Sequence, residues 1–275
     1  MKEELIAFFD ELGVGWRETS GGFWLEKPSL MVFSVGIDGC SLADLEKIAE
    51  VQHQGVRLIS LWEDVWRRKG GLVRMRLAGE IGGRRRIFAR NCTIETISKE
   101  EADAFFEATH LLGAARTKYR YGLFYQGALV AAAAFSGMRM MRRELSPHDK
   151  HHAQRKTHSP IEIQWHRSAE WIRYSSLPHI TVTGGMSKLL SAFVAEHRPD
   201  DVMSYANKDW SEGAAYIKLG FKAAGETPIQ SHWLDPHTLQ RYPRKRHPLP
   251  LPHWIEVYSL GSLKFVKMFR NCFHL

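Results

Sequence analysis

Apolar positions in the first eighty residues follow two different periods. Continuous apolar runs at residues 30–35 and 56–61 predict two strands, and helical spacing over residues 42–52 predicts a helix between them. Residues 62–69 predict a further helix, because acidic residues come first and basic residues follow, as the helix macrodipole favours. The pattern therefore predicts a small α/β unit at the start of the chain.

The pattern changes after a run of glycine and arginine at residues 82–86. Paired glycines interrupt helices and the charged run suits an exposed connection, so we expect domains at residues 1–82 and 83–275. Beyond this boundary the pattern predicts an α+β fold in which helices flank a mixed sheet, with room for a second helix at residues 111–118. The predicted strands cover residues 92–97, 121–125, 128–135, 161–165 and 201–205, and the predicted helices cover residues 98–110, 188–196 and 211–219.

Composition restricts the class of protein. The chain has 275 residues and a formal net charge of +8, and no apolar run approaches the roughly 20 residues of a membrane helix. The first residues show no export signal, and Cys40, Cys92 and Cys272 lack the spacing of a zinc ribbon or a disulfide framework. We expect a cytoplasmic protein with no membrane association, whose clustered arginines either attract nucleic acid or form a solvated basic surface.

A glycine turn precedes the predicted helix at residues 188–196. Its backbone amides would lie at a helix N-terminus, where unpaired N–H groups and the helix dipole favour an anion such as a pyrophosphate. An ordinary glycine turn capped by a serine is the alternative. The candidate cofactor-binding residues are Gly184, Gly185, Met186, Ser187 and Lys188.

The segment at residues 204–221 combines a strand end, polar residues and a short helix. Its last part, Tyr216 to Phe221, reads Tyr-Ile-Lys-Leu-Gly-Phe and resembles the Tyr-Glu-Lys-Leu-Gly-Phe ending of GNAT acyltransferases. The resemblance implies a GNAT-like sheet, acetyl-CoA or a related acyl-CoA as cofactor, and Tyr216 as the general acid that protonates the departing thiolate. The alternative role for Tyr216 is packing of an amphipathic helix against the sheet.

Several short motifs between Arg57 and Phe265 extend the resemblance. Together they resemble a phage-associated, homing-endonuclease-like family whose C-terminal region is similar to GNAT-like, Mom-type proteins that modify adenine in DNA. This resemblance implies DNA as a partner and a small, degenerate Vsr-like α/β domain before the GNAT-like domain. The motifs cover residues 110–113, 121–125, 170–174, 184–189, 204–221 and 258–265.

The resemblance also assigns catalytic positions, with one departure. The family usually has Tyr-Ala-Asp where this chain has Tyr205-Ala206-Asn207, and an amide cannot accept a proton as a carboxylate does. Asp209 is close enough in sequence to take over that role. The candidate catalytic residues are Tyr216, Asn207, Asp209, Arg173 and His110.

A metal-dependent endonuclease and a non-catalytic DNA-binding protein are the alternative functions. The strand that leads into Trp62 resembles the end of the Vsr-type nuclease fold, whose metal needs acidic ligands on an earlier strand. Residues 30–36 contain no acid, although Glu63 and Asp64 follow the next strand. A degenerate domain that contacts DNA is therefore the stronger interpretation, and no residue is assigned as a metal ligand.

Basic and histidine-rich segments complete the candidate DNA contacts. Residues 148–158 form either a solvated loop or a transition-metal site. Residues 241–247 are basic with one tyrosine, and they either contact a phosphate backbone or form a surface crossover whose conformation the following prolines restrict. The candidate nucleic-acid-binding residues are Arg67, Arg68, Arg84, Arg85, Arg86, Arg155, Arg244, Lys245 and Arg246.

Overall fold

The computed structural model describes residues 1–37, 41–53, 55–82, 84–144 and 163–269. Its first part contains three helices and four strands: α1 (Lys2–Glu11), β1 (Trp16–Thr19), β2 (Gly22–Leu25), β3 (Leu30–Val35), α2 (Leu42–His53), β4 (Leu58–Trp62) and α3 (Glu63–Ile81). The strands form one sheet of order β1–β2–β3–β4, in which β3 and β4 run parallel. The predicted small α/β unit is therefore present.

The predicted starts of these elements agree with the structure to within two residues, but α3 continues to Ile81, well beyond the predicted end at residue 69. β3 and α2 begin where the pattern places them, and β4 begins two residues later than predicted. All five residues of β4 are buried, as its apolar run predicts, and Ser60 is the one polar residue among them. β1 and β2 have only four residues each and were not predicted.

A larger sheet is built from the rest of the chain. Its elements, with two short flanking strands and a separate three-stranded sheet, are β5 (Arg85–Phe88), β6 (Thr93–Thr96), α4 (Lys99–Thr109), β7 (Tyr119–Tyr125), β8 (Ala128–Phe135), β9 (Arg139–Glu144), β10 (Ile163–Ser176), β11 (Ile180–Thr183), α5 (Gly185–His197), β12 (Asp201–Asn207), α6 (Ala214–Lys218), β13 (Lys222–Glu226), β14 (Gln230–Asp235), β15 (Gln240–Pro243), β16 (Ile255–Ser259) and β17 (Ser262–Met268). The sheet order is β13–β17–β12–β10–β8–β7–β6, and β9 pairs with β10.

The resemblance implied a mixed sheet with flanking helices, and the larger sheet is mixed. β10 and β12 run parallel and are linked by α5, whereas β8 and β17 run antiparallel to them. The fold class is therefore mixed α/β, with a GNAT-like sheet preceded by a small sheet. Strands β14, β15 and β16 follow β13 along the chain and precede β17, and they form a separate antiparallel sheet. The sequence pattern did not predict this sheet.

The helices of the larger unit agree with their sequence signals. The Ser98 side chain accepts a hydrogen bond from the Glu101 amide at 3.0 Å and so caps α4 at the start of the helix predicted over residues 98–110. α5 begins three residues earlier than predicted, after Gly184 in the left-handed conformation. In the part of the chain that is described, no helix is long and apolar enough to cross a membrane. The cytoplasmic location stays a prediction.

The second helix expected at residues 111–118 is wrong. The segment is irregular and contains Gly113 at a φ of +64°, a value that ends helices. Its backbone is fixed by tertiary hydrogen bonds instead: the Glu107 carboxylate accepts from the Ala114 amide at 2.8 Å, and the Gly113 carbonyl accepts from Arg173 Nε at 2.9 Å.

The two predicted domains share an extensive contact. The Ser60 amide on β4 donates to the Asp209 carbonyl at 2.8 Å, so the edge of the small sheet meets the chain that leaves β12. Gln52 donates to the Lys208 carbonyl, also at 2.8 Å. Leu111 and Trp210 pack into the hydrophobic core of the small unit. The small sheet therefore covers the end of β12, where candidate catalytic residues lie.

Candidate functional site

β10 and β12 separate in the middle of the sheet. Their pairing runs from Ser168–Asp201 to Trp171–Ser204 and then stops, although β10 continues beside β8 and β12 continues beside β17. We call the point just beyond the Trp171–Ser204 pair the fork. A fork between parallel strands leaves backbone groups unpaired on both sides, which makes room for an extended ligand.

Tyr216 lies at the fork. The Ser204 hydroxyl is 2.8 Å from the Tyr216 phenol oxygen and 2.9 Å from the Trp171 carbonyl oxygen. The Tyr216 ring stacks on Phe265 at 5.2 Å between centroids and meets Trp171 edge-on at 6.3 Å. Burial raises the pKa of Tyr216 above its ordinary value of 10.0. The phenol therefore keeps its proton at neutral pH, as a general acid must.

The predicted anion site lies at the start of α5. Gly184 has a φ of +78° and Gly185 is buried. A Cβ on Gly185 would lie 3.1 Å from Val182 Cβ and 3.2 Å from the Tyr174 hydroxyl, so glycine permits this close packing. Burial raises the pKa of Tyr174 to about 12, which keeps its hydroxyl protonated beside the helix. Amides of the first helical turn have no acceptor within the helix, which suits an anion.

The remaining cofactor candidates differ in their surroundings. Ser187 is exposed, and Met186 packs against the core of the larger sheet. Lys188 Nζ donates to the Ala89 carbonyl at 3.0 Å and also to the Cys92 carbonyl. The Lys188 ammonium therefore ties α5 to the turn before β6, and this contact does not favour a direct role with phosphate.

Arg173 lies close to His110, the residue that follows α4. Arg173 donates to the carbonyl oxygens of Gly113 and Ile172, so it organises the loop after α4. Burial, followed by the cations Arg173, Arg76 and Lys69, lowers the pKa of His110 to about 3. His110 Nδ1 accepts from the Leu112 amide at 3.1 Å, so the neutral ring carries its proton on Nε2. This arrangement favours a positioning role over a general base.

Asn207 and Asp209 lie together beyond the end of β12. Asn207 Oδ1 accepts from the Asp209 amide at 2.9 Å, and the Asp209 carboxylate accepts from the Leu260 amide at 3.3 Å. Burial raises the pKa of Asp209, and Trp62, Arg241, Leu260 and Asn207 oppose that shift. A buried carboxylate with a raised pKa is suited to accept a proton from a bound amine. Asn207 holds the turn that presents it.

Both residues line a cavity of about 400 Å³ between the small sheet and the three-stranded sheet. Three buried polar atoms on its walls have no hydrogen bond within the described chain: Ser60 Oγ, Trp62 Nε1 and His232 Nδ1. Trp62 Nε1 faces the Asp209 carboxylate and lowers its pKa, although the two atoms do not form a well-aligned bond. Unpaired buried polar atoms are costly and are typical of functional sites.

One wall of the cavity is held by a buried ion pair. Arg241 donates from Nε and Nη2 to the two Asp64 carboxylate oxygens, each at 2.6 Å, and from Nη1 to the Tyr258 carbonyl at 2.7 Å. The guanidinium also lies over the Trp62 ring, 4.8 Å from its centroid. This pair fixes the three-stranded sheet against α3, and it uses both oxygens of Asp64.

The predicted nucleic-acid-binding residues occupy separate surfaces. Arg68 lines the cavity, whereas Arg67 pairs with Glu63 at 2.5 Å on the exposed side of α3. Arg84 contacts Glu80 at 3.4 Å and the Arg76 carbonyl at 3.2 Å. Arg155 and the histidines of residues 148–158 lie outside the described residues. The other candidates are exposed: Arg85 and Arg86 on β5, and Arg244, Lys245 and Arg246 after β15.

Several residues of the cavity were not predicted from the sequence. Ser60 gave a usable signal, because it is the single polar residue in a strand that is otherwise apolar and fully buried. His232 and Arg241 gave none, since they reach the cavity from the three-stranded sheet, which the pattern did not predict. Tyr174 belongs to the motif at residues 170–174, but only the fold shows that its hydroxyl lies beside Gly185.

Several solved structures are similar to this chain. No family model and no curated protein matches the chain. A GNAT family acetyltransferase from Elizabethkingia anophelis with acetyl-CoA bound is 10% identical over 65% of this chain and 99% of its own, with a TM-score of 0.36. The ribosomal-protein-S18-alanine N-acetyltransferase from Escherichia coli is 14% identical over 67% and 99%, also at 0.36.

A third similar structure is an enzyme named for polyamines, whereas the second is named for an alanine of a ribosomal protein. The polyamine N-acetyltransferase of Drosophila melanogaster is 12% identical over 65% of this chain and 100% of its own, with a TM-score of 0.34. Similarities of this size transfer no residue role and no substrate to this chain. The phage-associated, Vsr-like and Mom-like parts of the sequence resemblance stay predictions.

Proposed function

We propose that this protein is an acyltransferase that uses acetyl-CoA or a related acyl-CoA and modifies a base or a base-linked amine of DNA. The observation that carries the proposal is the protonated Tyr216 phenol at the fork between β10 and β12. A partly buried proton donor at the point where two parallel strands separate is suited to a leaving thiolate.

The donor side supports a nucleotide-type cofactor. The glycine-opened first turn of α5 offers backbone amides and the Tyr174 hydroxyl to an anion, and Gly185 leaves the space that a Cβ would fill. The fork provides unpaired backbone for an extended arm. Residues 184–187 would hold the phosphates of the donor, and β10 and β12 would flank its arm.

The chemistry needs one proton donor and one proton acceptor. When bound, an acyl-CoA supplies a thioester whose carbonyl carbon an amine attacks while the C–S bond breaks. Tyr216 holds its proton on the phenol oxygen at neutral pH and can give it to sulfur. The Asp209 carboxylate can orient an amine N–H and take the proton that the nitrogen loses. Asn207 keeps Asp209 in position.

The acceptor side supports a polyanionic partner. Arg68 lies at the cavity, and three consecutive basic residues, Arg244 to Arg246, are exposed beside it. Such side chains attract phosphates without reading sequence. A base within duplex DNA would have to leave the stack to reach Asp209.

The experiment combines transfer with binding. Purified protein is incubated with acetyl-CoA and DNA, the DNA is digested to nucleosides, and the products are measured by mass spectrometry. Calorimetry measures acetyl-CoA binding in parallel. We expect an acylated nucleoside and measurable acetyl-CoA affinity. An unmodified nucleoside profile with several acyl donors, together with no acetyl-CoA binding, would reject the proposal.

The endonuclease alternative receives no support from the acidic residues that suggested it. Asp64 uses both carboxylate oxygens on Arg241, and Glu63 pairs with Arg67 and accepts from the Ile37 amide at 2.9 Å. Within the described ranges no three metal-ligating side chains gather. Mg²⁺-dependent cleavage that Glu63→Ala abolishes would restore this alternative.

The non-catalytic alternative is favoured by one feature of the fork. Arg173 and Lys188 both donate to backbone oxygens, which fits a structural role for these two cations. A DNA-binding protein without activity would bind DNA with a steep salt dependence and release no CoA. Finding CoA release that depends on DNA would exclude it.

A further inference from the structure

Two cavities meet at the three-stranded sheet. The inner one is the cavity of about 400 Å³ that contains Asp209, and the outer one, of about 810 Å³, is lined by basic residues after β15. Gln230, His232 and Pro243 line both of them. The two cavities are therefore adjacent regions of one site, and volumes of this size are typical of ligand pockets, about 300–1,000 Å³.

The inner region presents polar atoms that the protein does not satisfy. Ser60 is fully buried and Trp62 is 4% exposed, yet Ser60 Oγ and Trp62 Nε1 have no hydrogen-bond partner among the described residues. His232 Nδ1 is in the same state, and burial lowers the pKa of His232, so its ring is neutral. Together with the Asp209 carboxylate these groups offer both donors and acceptors. They match the edge of an uncharged polar ring better than a second charge.

The outer region combines positive charge with one nearby indole ring. Lys245 and Arg246 are exposed and form no ion pair in the part of the chain that the structure describes. Arg244 lies over the Trp233 ring at 5.0 Å and pairs with Glu256 at 2.6 Å. A basic surface with interleaved aromatic side chains is typical of sites for phosphate attached to a planar base.

We propose that the two regions form one composite site for a nucleotide unit, with the base between Ser60, Trp62 and Asp209 and the phosphate at Lys245 and Arg246. This inference rests on the proposed function and names its acceptor: a nucleotide that enters from the basic side. Ser60, Trp62 and His232 then act as specificity-determining residues.

The proposal changes the role of the small N-terminal sheet. Ser60 and Trp62 belong to β4, whose edge is bonded to the Asp209 carbonyl, so the sheet forms a wall of the acceptor site. The sheet is then part of the enzyme's binding machinery. It does not need to contact DNA through a separate surface of its own.

Calorimetry with defined probes tests the composite site. The probes are the four deoxynucleoside 5′-monophosphates, the matching nucleosides and a short single-stranded oligonucleotide. At least one nucleotide should bind 10-fold or more tightly than its nucleoside, and Lys245→Glu with Arg246→Glu should remove that difference. Lys27→Glu with Lys47→Glu, two exposed lysines of the small unit, is the matched control and should leave it unchanged.

The inner region is tested by the indole ¹⁵N–¹H signal of Trp62, assigned by its loss in Trp62→Phe. The nucleotide should shift this signal, and Ser60→Ala should weaken binding about 5-fold, the size of one lost hydrogen bond. If the oligonucleotide binds more tightly than the mononucleotide, the nucleotide unit in the site belongs to a polynucleotide. If the two bind equally, the ligand is a free nucleotide.

Three results would overturn the proposal: nucleotides that bind no better than nucleosides, an unshifted Trp62 signal, or an equal effect of the lysine control. The acetyl-CoA titration separates this failure from that of the proposed function. Acetyl-CoA binding without nucleotide binding would reject the composite site alone, whereas nucleotide binding without acetyl-CoA binding would reject the acyltransferase and leave the site.

Discussion

The fork and the cavity place similar polar side chains in opposite situations. Ser204 at the fork is 1% exposed and its hydroxyl contacts Trp171 and Tyr216, whereas Ser60 at the cavity is fully buried and its hydroxyl has no partner in the described chain. The serine hydroxyl at the fork is therefore paired within the described chain, and the serine hydroxyl at the cavity is not. Under the proposed function, the fork is a preformed frame for the donor, and the cavity needs a ligand to complete its hydrogen bonds.

The largest expected effect is at the fork, on catalysis. Tyr216→Phe keeps the ring that stacks on Phe265 and removes the proton donor, so kcat should fall by about 10²–10⁴-fold. The rate of DNA-dependent CoA release, followed with a thiol reagent, measures it, and the affinity for acetyl-CoA should not change. Tyr205→Phe, an exposed tyrosine on β12 next to Ser204, is the control. Equal rates in both variants would remove Tyr216 from the mechanism.

The next effect concerns the wall of the cavity. Arg241→Met leaves the buried Asp64 carboxylate without its partner, and we expect the free energy of unfolding to fall by about 3–5 kcal/mol. Urea denaturation measures it. Arg244→Met breaks an ion pair that is largely exposed and should cost less than about 1 kcal/mol. If the two losses were similar, the ion pair with Asp64 would not hold the three-stranded sheet in place.

A smaller effect depends on pH. The pKa of Asp209 in the folded chain is raised above its ordinary value of 3.8. At pH values between the ordinary pKa and the raised pKa, the folded chain therefore binds more protons than the unfolded chain. The stability that Asp209 contributes therefore falls as pH rises through this window. Asp209→Asn lacks the group, and the urea midpoint of the wild type minus that of the variant should decrease with rising pH. A difference that is constant or increases contradicts the burial of a charged carboxylate.

The smallest effect compares the two serines directly. Ser204→Ala removes a satisfied hydroxyl and should lower the free energy of unfolding by about 1 kcal/mol. Ser60→Ala removes an unpaired buried hydroxyl and should leave the free energy of unfolding unchanged or raise it by up to about 1 kcal/mol. Thermal unfolding of the two variants under the same conditions measures both. Destabilisation by Ser60→Ala as large as that of Ser204→Ala would mean that the cavity does not differ from the fork.

Sequence patterns predicted the helices and strands better than the contacts between them. The apolar run of β4 and the cap of α4 are local signals, and both elements lie where they were expected. The helix expected at residues 111–118 does not form, because hydrogen bonds to Glu107 and Arg173 and the left-handed Gly113 fix an irregular backbone there. Local pattern cannot register such long-range bonds.

The same reason explains which site residues were predictable. Tyr216 follows from a contiguous motif, and the helix that carries it lies beside the sheet as that motif implies. Arg241 and Asp64 are 177 positions apart, and no local pattern joins them. Ser60 is the intermediate case, since a lone serine in a buried strand is visible in sequence, although its unpaired state requires the fold.

A crystal structure of the acetyl-CoA complex tests the central claim most directly. We expect the pyrophosphate at the first turn of α5 beside Gly185, the pantetheine arm between β10 and β12, and the thioester at the Tyr216 hydroxyl, with the cavity at Asp209 left free for the acceptor. Acetyl-CoA bound in the cavity, or a fork that stays closed by Tyr216 and Phe265 while acetyl-CoA binds elsewhere, would contradict the division between donor fork and acceptor cavity.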